Sequence, residues 1–235
     1  MTVILAIGGM DPSGGAGLSR DSAMAARLGA RVKPVVTALT VQTDHSVNAV
    51  HPTALDLLQA QLEAALENPA PMAVKIGMVA TTEQVTLLAT VLPEGLPLVF
   101  DPVLRASSGG HLTPAEALGP LLQRAQVITP NLIEAARLTG LPTGAPLKDL
   151  GHALLALSPQ AVLLKGGHAS GKDCVDYLYS QDHSEAFTAP RLPGQWRGTG
   201  CRLATAIACG LAQDHTLSEA CHKAKHALTA WLREE

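Results

Sequence analysis

Short, continuously apolar runs alternate with longer amphipathic stretches along most of the chain. A continuous apolar run is typical of a strand buried on both faces of a parallel sheet, and apolar residues at helical spacing indicate helices. The runs predict strands over 3–7, 32–39, 72–76, 98–100, 127–128 and 161–164, and a hairpin from 175–179 and 186–188. The predicted helices cover about 19–28, 54–66, 83–92, 131–139, 202–212 and 217–232.

This alternation predicts an α/β fold in which helices cover both faces of a mainly parallel sheet. The sequence shows no linker-like composition and no internal repeat, so we expect a single domain over residues 1–235. In such sheets ligands bind at the carboxyl ends of the strands. The chemically versatile residues follow predicted strands or open a predicted helix: Gly9, Asp11, Gln42, Asp101, Asn131, Lys165 and Gly198–Cys201. Their shared position predicts one ligand site at that edge of the sheet.

Composition narrows the class of ligand. The net formal charge is −3 and only 3% of the residues are aromatic, which argues against a nucleic-acid-binding surface. No apolar run approaches the length of a membrane span, and the first residues lack the basic segment of a signal peptide. The four cysteines form no Cys-x-x-Cys pair, so a reduced, cytoplasmic protein is the simplest expectation.

One turn near the end of the chain carries the most chemistry, Gly198-Thr199-Gly200-Cys201. Glycines let the backbone come close to a ligand, and the unpaired N–H groups at the start of the following helix attract an anion. The helix dipole also favours the thiolate of a cysteine placed there. The turn therefore predicts a phosphate or oxyanion cradle beside an ionisable group. A helix cap around a buried small residue is the alternative, and these four residues alone do not separate the two.

The familiar nucleotide motifs are absent elsewhere. The glycine-rich loop at 8–17 follows a predicted strand, but Arg20 stands where a dinucleotide fingerprint needs its third glycine. The stretch 166–172 resembles a P-loop until Asp173, where Ser or Thr is required. The first loop is therefore a ligand loop of another kind, or a tight turn.

Seven motifs nevertheless occur in an order that resembles a known family: Gly9–Gly17, Val36–Gln42, Lys75–Met78, Asp101–Val103, Thr129–Ala135, Lys165–His168 and Gly198–Cys201. Together they make the chain similar to the hydroxymethylpyrimidine/phosphomethylpyrimidine kinases of thiamine biosynthesis, in the ribokinase superfamily. The resemblance implies a ribokinase-like three-layer fold. It also implies transfer of a phosphoryl group from ATP, with Mg²⁺, to 4-amino-5-hydroxymethyl-2-methylpyrimidine. The phosphate of its monophosphate is a second candidate acceptor, and a homodimer is expected.

At the point of transfer, the resemblance assigns the amides of Gly198, Thr199 and Gly200 to an anion hole, with Thr199 also on the ATP phosphates. Cys201 stands where many superfamily members carry an aspartate base, so we expect it to take the hydroxyl proton. A helix N-terminus can lower the pKa of a thiol from its usual value of about 8.5. A steric or hydrogen-bonding role is the alternative for Cys201.

For the acceptor, the resemblance assigns Gly9, Asp21, Gln42 and Val103 to the pocket. The amide of Gln42 offers one donor and one acceptor, which complement a ring nitrogen beside an exocyclic amine. Alternatively, Gln42 bonds its own backbone in a turn, and Asp21 only stabilises the dipole of the first helix.

For the ATP phosphates, the resemblance assigns Asn131 and Lys165, and for Mg²⁺ it assigns Asp101 and Glu134, partly through water. Asn131 and Glu134 also have the spacing of a helix N-cap and its capping-box partner, and the two roles are compatible. Lys165 is alternatively a surface lysine.

Several features depart from the family pattern, two of them at the predicted site. Arg197 precedes the glycine turn where the family often has His. Ser107 stands where a Lys-Ser-Gly loop is common, with Arg105 as a candidate replacement for the missing charge. Two alternatives therefore stay open: a kinase for pyridoxal or another small alcohol, and a non-catalytic pyrimidine-binding sensor.

Overall fold

The structure is a computed structural model that describes residues 1–104, 115–167, 171–194 and 196–235. Arg105, Ser107 and His168 lie outside the described residues. The strands are β1 (Val3–Met10), β2 (Arg31–Gln42), β3 (Val47–Pro52), β4 (Ala73–Ile76), β5 (Leu98–Phe100), β6 (Val127–Ile128), β7 (Ala161–Leu164), β8 (Asp173–Ser180) and β9 (Ser184–Pro190). The helices are α1 (Gly17–Arg27), α2 (Leu55–Leu66), α3 (Thr82–Val91), α4 (Gly119–Arg124), α5 (Leu132–Thr139), α6 (Leu147–Leu155), α7 (Thr199–Leu211) and α8 (Leu217–Leu232).

In the described part of the chain the strands form one sheet in the order β3-β2-β1-β4-β5-β6-β7-β8-β9. The strands from β2 through β1 and β4 to β7 are parallel to one another. β3 extends one edge in the antiparallel sense, and the hairpin of β8 and β9 extends the other. The predicted mainly parallel sheet and the predicted hairpin are confirmed. The parallel strands all end at the same edge, which brings the loops that follow them together.

Two apolar cores hold helices on opposite faces of this sheet. Leu5 and Ile7 of β1 belong to the core beneath α2 to α6, whereas Ile4 belongs to the core beneath α1, α7 and α8. The alternation follows from the period of two along a strand. Burial on both sides therefore explains the continuous apolar run at 3–7. None of the described helices combines the length and apolar character needed to cross a membrane.

One strand and two α-helices of the structure are absent from the predicted set, and each has a weak sequence signal. β3 is an edge strand with no buried residue, so it shows no apolar run. α4 has only 6 residues. α6 contains Gly151, where a Cβ would lie 2.6 Å from the ring of Tyr179. In addition, α7 begins at Thr199, earlier than predicted, because Gly198 takes a φ of 69° and caps the helix there.

The capping box at the start of α8 offers a test of the fold. The Thr216 hydroxyl accepts a hydrogen bond from the N–H of Glu219, and Glu219 Oε2 accepts one from the N–H of Thr216. Thr216→Ala removes this cap, and we expect it to lower the free energy of unfolding by about 1 kcal/mol, or Tm by roughly 2–4 °C. Chemical and thermal denaturation measure the change.

Thr86→Ala is the matched control, because Thr86 lies in the middle of α3 and its hydroxyl only bonds the carbonyl of Thr82. We expect it to change the free energy of unfolding by less than about 0.5 kcal/mol. Equal losses in the two variants would contradict the capping role of Thr216.

Candidate active site

The loops at the carboxyl ends of the parallel strands surround a cleft of about 880 Å³. Its walls contain nearly all the residues predicted for the site: Gly9, Gln42, Val103, Asp101, Asn131, Glu134, Lys165, Gly198, Thr199, Gly200 and Cys201. Asp21 is the exception, because it does not line the cleft. The glycine turn 198–200 divides the cleft into two halves. One half lies toward β2 and the other toward the β8–β9 hairpin, on opposite sides of the central strands. We name them the acceptor half, near β1 and β2, and the apolar half, near β9 and α8.

Glycine is required in the turn 198–200 for two reasons: neighbouring atoms lie too close for a Cβ, and one residue has a positive φ. Gly198 has a positive φ of 69°, and a Cβ there would lie 2.5 Å from the carbonyl oxygen of Gly15. A Cβ at Gly200 would lie 3.0 Å from Nζ of Lys165. No side chain caps the start of α7. The first N–H groups of α7 therefore stay available to an anion, directly beside an ammonium group.

An ion-pair cluster stands next to this turn. Lys165 Nζ lies 2.7 Å from Asp101 Oδ1 and 4.0 Å from Glu134 Oε2, and the Thr129 hydroxyl donates to Asp101 Oδ1 at 2.9 Å. Burial alone would lower the pKa of Lys165, but the carboxylates of Asp101 and Glu134 raise it, so the ammonium stays charged. Burial raises the pKa of Glu134 to about 7, against the opposing effect of Lys165. The surface-lysine alternative is therefore wrong: Lys165 is mostly buried in the cleft wall.

Asn131 and Glu134 form the capping box that their spacing predicts. Asn131 Oδ1 accepts from the N–H groups of Ile133 and Glu134, each at 2.9 Å, and Glu134 Oε2 accepts from the N–H of Asn131 at 2.8 Å. Both side chains also line the cleft. The two residues therefore cap α5, and the capping box holds both side chains at the edge of the sheet where a phosphate or metal would bind.

The carboxylates of Asp101 and Glu134 fit Mg²⁺ chemically, because this ion prefers oxygen ligands. The described residues contain no group of three or more His, Cys, Asp or Glu side chains arranged to hold a metal ion. An ion held by only one or two carboxylates completes its coordination with water and substrate phosphates, which is usual for Mg²⁺ at phosphate-transfer sites. The residues present therefore fit a metal that arrives with a nucleotide.

Asp21 lies behind the cleft wall, where it is fully buried. Lys75 Nζ lies 2.7 Å from Asp21 Oδ2, and the Thr205 hydroxyl donates to Asp21 Oδ1 at 2.8 Å. Burial alone would lower the pKa of Lys75, but the charges of Asp21, Cys201 and Asp101 raise it. Lys75 itself lines the cleft. Asp21 therefore acts on a ligand only through Lys75. The site prediction missed Lys75, although a lysine within an apolar strand indicates a buried partner of opposite charge.

Cys201 does not have the lowered pKa that its helix position predicts. Burial raises the pKa of the thiol; Lys75 and a hydrogen bond from the N–H of Gly17 oppose this, whereas Asp21 and Asp101 add to it. The expectation of a lowered pKa is therefore wrong, because removal from water and two nearby carboxylates outweigh the favourable helix start. Cys201 still lines the cleft beside the glycine turn.

In the acceptor half, Gln42 ends β2 and lines the cleft with Gly9, Thr40 and Met78. Its side-chain amide makes no hydrogen bond to any residue that the structure describes, so the turn-forming alternative has no support in the described contacts. A Cβ at Gly9 would lie 2.9 Å from the sulfur of Met78, so this wall is closely packed. The acceptor half thus offers a side-chain amide that is bonded to no described residue, on a closely packed wall.

In the apolar half, side chains from β9, the following loop, α7 and α8 form the wall: Ala189, Pro190, Leu192, Trp196, Leu203, Leu228 and Leu232. Lys225 lies at the same wall and pairs with Asp176 at 2.7 Å. Asp176 in turn accepts from the N–H of Gly166 at 2.9 Å, immediately after Lys165. An apolar wall with a few polar groups is typical of a small-molecule site.

Arg197 is a further cleft residue to which the sequence gives no role. Its Nη1 donates to Ser13 Oγ at 2.9 Å and to Asp44 Oδ1 at 2.6 Å, and its Nη2 donates to Asp11 Oδ2 at 3.0 Å. It thereby ties the glycine turn to the loop after β1 and to the turn between β2 and β3.

Known proteins match this chain over nearly its whole length. The model of the phosphomethylpyrimidine kinase family matches residues 11–235. The hydroxymethylpyrimidine/phosphomethylpyrimidine kinase of Rhizobium meliloti is 37% identical, with 98% of this chain and 90% of that protein covered. The protein of the same name from Streptomyces coelicolor is 36% identical, with coverages of 97% and 87%.

Solved structures share the fold. A crystal structure of phosphomethylpyrimidine kinase from Clostridium difficile 630 has a TM-score of 0.82 and 33% identity, and covers 99% of this chain and 100% of that one. The pyridoxal kinase of Staphylococcus aureus in complex with ADP has a TM-score of 0.86 and 30% identity, with coverages of 96% and 85%. The predicted ribokinase-like fold is confirmed.

The pKa of Glu134 predicts how stability depends on pH in the metal-free protein. The folded-state pKa of about 7 exceeds the ordinary value of 4.5, so between these values the folded state binds more protons than the unfolded state. The stabilisation from protonated Glu134 is therefore complete below about pH 4.5 and is lost as the pH rises through about 7. Glu134→Gln should remove this part of the decline, as measured by urea denaturation in EDTA between pH 5 and 8. An unchanged slope in Glu134→Gln would contradict the raised pKa.

Proposed function

The chain belongs to the phosphomethylpyrimidine kinase family, and we propose that it transfers the γ-phosphoryl group of ATP to the hydroxymethyl oxygen of 4-amino-5-hydroxymethyl-2-methylpyrimidine in thiamine biosynthesis. The observation that carries the proposal is the uncapped glycine turn whose Gly200 lies against Lys165, between an acceptor half and an apolar half. Phosphoryl transfer needs in-line positioning and stabilisation of spread negative charge. The N–H groups of the turn and the ammonium of Lys165 support the proposal, because they can stabilise that charge between the two halves.

The turn is the proposed anion hole. The N–H groups of Gly198, Thr199 and Gly200 would donate to the oxygens of the transferred group, where charge grows in the transition state. Lys165 turns from Asp101 to the phosphates, and Asn131 adds its side-chain amide. The ammonium of Lys165 thereby stays paired with an anion.

Mg²⁺, when bound, neutralises charge on the phosphate oxygens. Asp101 and Glu134 are the proposed protein groups that hold it, partly through water. Glu134 has a pKa of about 7, so its carboxylate form increases through neutral pH.

The acceptor would lie against Gly9 and Val103, with its aminopyrimidine edge on the Gln42 amide. Asp21 contributes indirectly, by fixing the ammonium of Lys75 at 2.7 Å. The adenine of ATP would lie in the apolar half. The pyridoxal kinase of Staphylococcus aureus, which is 30% identical to this chain, was solved in complex with ADP. This complex supports a nucleotide as the co-substrate.

Cys201 is the proposed group that receives the hydroxyl proton, as a thiolate. Since burial raises its pKa, the thiol form dominates near neutral pH. A loose transition state needs proton removal only late in the transfer. The reaction can therefore proceed with a small fraction of thiolate.

Pyridoxal is the second candidate acceptor, since the pyridoxal kinases of Staphylococcus aureus give a TM-score of 0.86. The unsatisfied amide of Gln42 favours the pyrimidine, because an aminopyrimidine edge matches both its donor and its acceptor. A non-catalytic sensor would bind the pyrimidine without turnover. We further propose a single kinase domain over the chain, located in the cytoplasm.

A kinase assay with Gln42 variants tests the function. Purified protein with Mg-ATP should release ADP faster when the hydroxymethylpyrimidine is added, with a monophosphate product identified by mass. Gln42→Ala should lower kcat/KM for the pyrimidine by about 100-fold, because two hydrogen bonds are lost. Gln59→Ala, at an exposed position of α2 outside the cleft, is the matched control and should leave it unchanged. Turnover of pyridoxal alone, or binding of the pyrimidine without ADP release, would contradict the proposal.

The pH dependence of kcat tests Cys201. In the wild type, kcat should rise between pH 7 and 9 as the thiolate fraction increases, because the folded-state pKa is raised. Cys201→Ser cannot ionise in this range, so its kcat should be lower and should rise much less steeply with pH. A rise of equal steepness in both proteins would assign the proton to another group.

A homodimer is proposed through the outer face of β2. Leu39 is 56% exposed and Val41 is 49% exposed, next to the edge strand β3. Such neighbouring apolar side chains favour a contact between copies. Leu39→Lys combined with Val41→Lys should convert the dimer to a monomer in sedimentation velocity. A monomeric wild type would contradict the proposed dimer.

A further inference from the structure

Arg202 is a buried cation to which the proposed mechanism gives no role. It follows Cys201 in α7, but it does not line the cleft. The residue is only 1% exposed, and it is the bulkiest of the fully buried side chains in the described part of the chain. A buried charge costs free energy unless other groups compensate it. The contacts of Arg202 therefore indicate what the residue does.

The guanidinium of Arg202 lies between α8 and the residue that precedes the glycine turn. It stands 3.5 Å from the centre of the Trp231 ring in α8, in a cation–π contact. Its Nη1 donates to the carbonyl oxygen of Arg197 at 3.1 Å, whereas its Nη2 is buried and has no hydrogen-bond partner among the described residues. Burial lowers the pKa of Arg202 to about 10, so the group stays charged at neutral pH. The carbonyl of Arg197 is thus the one described hydrogen-bond acceptor of this buried charge.

Arg202 also binds the next carbonyl along the chain. Its backbone N–H donates to the carbonyl oxygen of Gly198 at 3.1 Å. The peptides 197–198 and 198–199 are both trans, and in a trans peptide the C=O and the N–H point in opposite directions. The N–H groups of Gly198 and Thr199 therefore point away from Arg202, and neither donates a hydrogen bond to a residue that the structure describes. One residue thus holds two successive peptides by their carbonyls and leaves their N–H groups available.

The freedom of glycine makes such a contact necessary. Gly198 has a φ of 69°, and glycine takes positive and negative φ about equally readily. The peptide between Arg197 and Gly198 can therefore rotate at little intrinsic cost, which would turn the N–H of Gly198 out of the cradle. The guanidinium opposes this rotation because it packs directly against the turn: a Cβ at Gly198 would lie 3.1 Å from Nη1 of Arg202. Rotation would also leave Nη1 buried without an acceptor, which is costly.

We propose that Arg202 is a positioning residue for phosphoryl transfer: it fixes the peptide of Arg197 and Gly198 so that the Gly198 N–H faces the transferred group. The proposal rests on the proposed kinase function and identifies the side chain that orders its anion hole. Preorganised donors stabilise a transition state because they need no reorientation as charge develops. An interaction that strengthens only in the transition state raises kcat. Loss of Arg202 should therefore lower kcat much more than it changes KM.

The kinetics of Arg202→Met and Arg202→Lys test this role. Arg202→Met removes the donor and the charge but keeps an unbranched side chain. Its kcat should fall by about 30-fold, because loss of one oxyanion-hole donor typically costs about 100-fold or more and a misoriented donor loses part of that. KM for ATP and for the pyrimidine should change by less than about twofold. Arg202→Lys should keep kcat within about fivefold of the wild-type value, since its ammonium can donate to the same carbonyl.

Cys221→Ala is the matched control, because Cys221 of α8 is equally buried in the core beneath α1, α7 and α8 and does not line the cleft. Each kcat is divided by the fraction of sites that bind Mg-ADP in calorimetric titration, so that partly unfolded protein is not counted. After this correction Cys221→Ala should keep the wild-type kcat. The proposal would be overturned by a wild-type corrected kcat in Arg202→Met, by an equal loss in Cys221→Ala, or by Arg202→Lys as impaired as Arg202→Met.

Nuclear magnetic resonance of the wild type tests the peptide directly and does not depend on the folding of a variant. Arg197-Gly198 is the only Arg-Gly pair in the sequence, so ¹³C-labelled arginine carbonyls and ¹⁵N-labelled glycines give one correlated N–H signal. This signal should move when aluminium fluoride, a mimic of the transferred group, is added to the protein with Mg-ADP and the hydroxymethylpyrimidine. In protein that phosphorylates the pyrimidine, an unmoved signal would overturn the proposal. Failure of the proposed function is distinguishable, because it would appear as no wild-type turnover of the pyrimidine.

Discussion

The candidate site depends on one buried ion pair and a hydroxyl that lie behind the cleft wall. Lys75 of β4 pairs with Asp21 of α1 at 2.7 Å, and Thr205 of α7 donates to the same carboxylate at 2.8 Å. Removing one partner of such a buried pair typically costs about 3–5 kcal/mol, because the other charge stays uncompensated. Since α1 begins at Gly17 and α7 at Thr199, this contact fixes both glycine-rich helix starts relative to the sheet. The proposed phosphate cradle depends on these groups behind the cleft wall.

In the cleft wall every described cation with a proposed role is already matched by carboxylates. Lys165 pairs with Asp101, and Arg197 pairs with Asp11 and Asp44. This pairing keeps the groups charged and oriented where they are partly shielded from water, because an unpaired buried charge would cost free energy of desolvation. A bound nucleotide would exchange the carboxylate partner of Lys165 for its own phosphate oxygens, so the ammonium would stay paired.

The central strands and the residues at their ends could be predicted because burial on both faces leaves a local signal, as in the run 3–7. The capping box of Asn131 and Glu134 could also be predicted, because its two residues lie close together in the sequence. The pairing of Lys75 with Asp21 joins residues far apart in sequence, so no local pattern contains it. The pKa of Cys201 was predicted in the wrong direction because the helix start is local, whereas burial and the carboxylates of Asp21 and Asp101 come from tertiary structure. The edge strand β3 lacked a signal because its residues are exposed.

The most direct test of the account is a crystal structure with Mg²⁺, a non-hydrolysable ATP analogue and the hydroxymethylpyrimidine bound together. The account predicts the γ-phosphate within hydrogen-bond distance of the amides of Gly198–Gly200 and Nζ of Lys165. It also predicts the pyrimidine edge on Gln42 and the hydroxymethyl oxygen between Cys201 and the phosphorus. A γ-phosphate bound away from the glycine turn, or a pyrimidine outside the acceptor half, would contradict the central claim that this turn is the point of transfer.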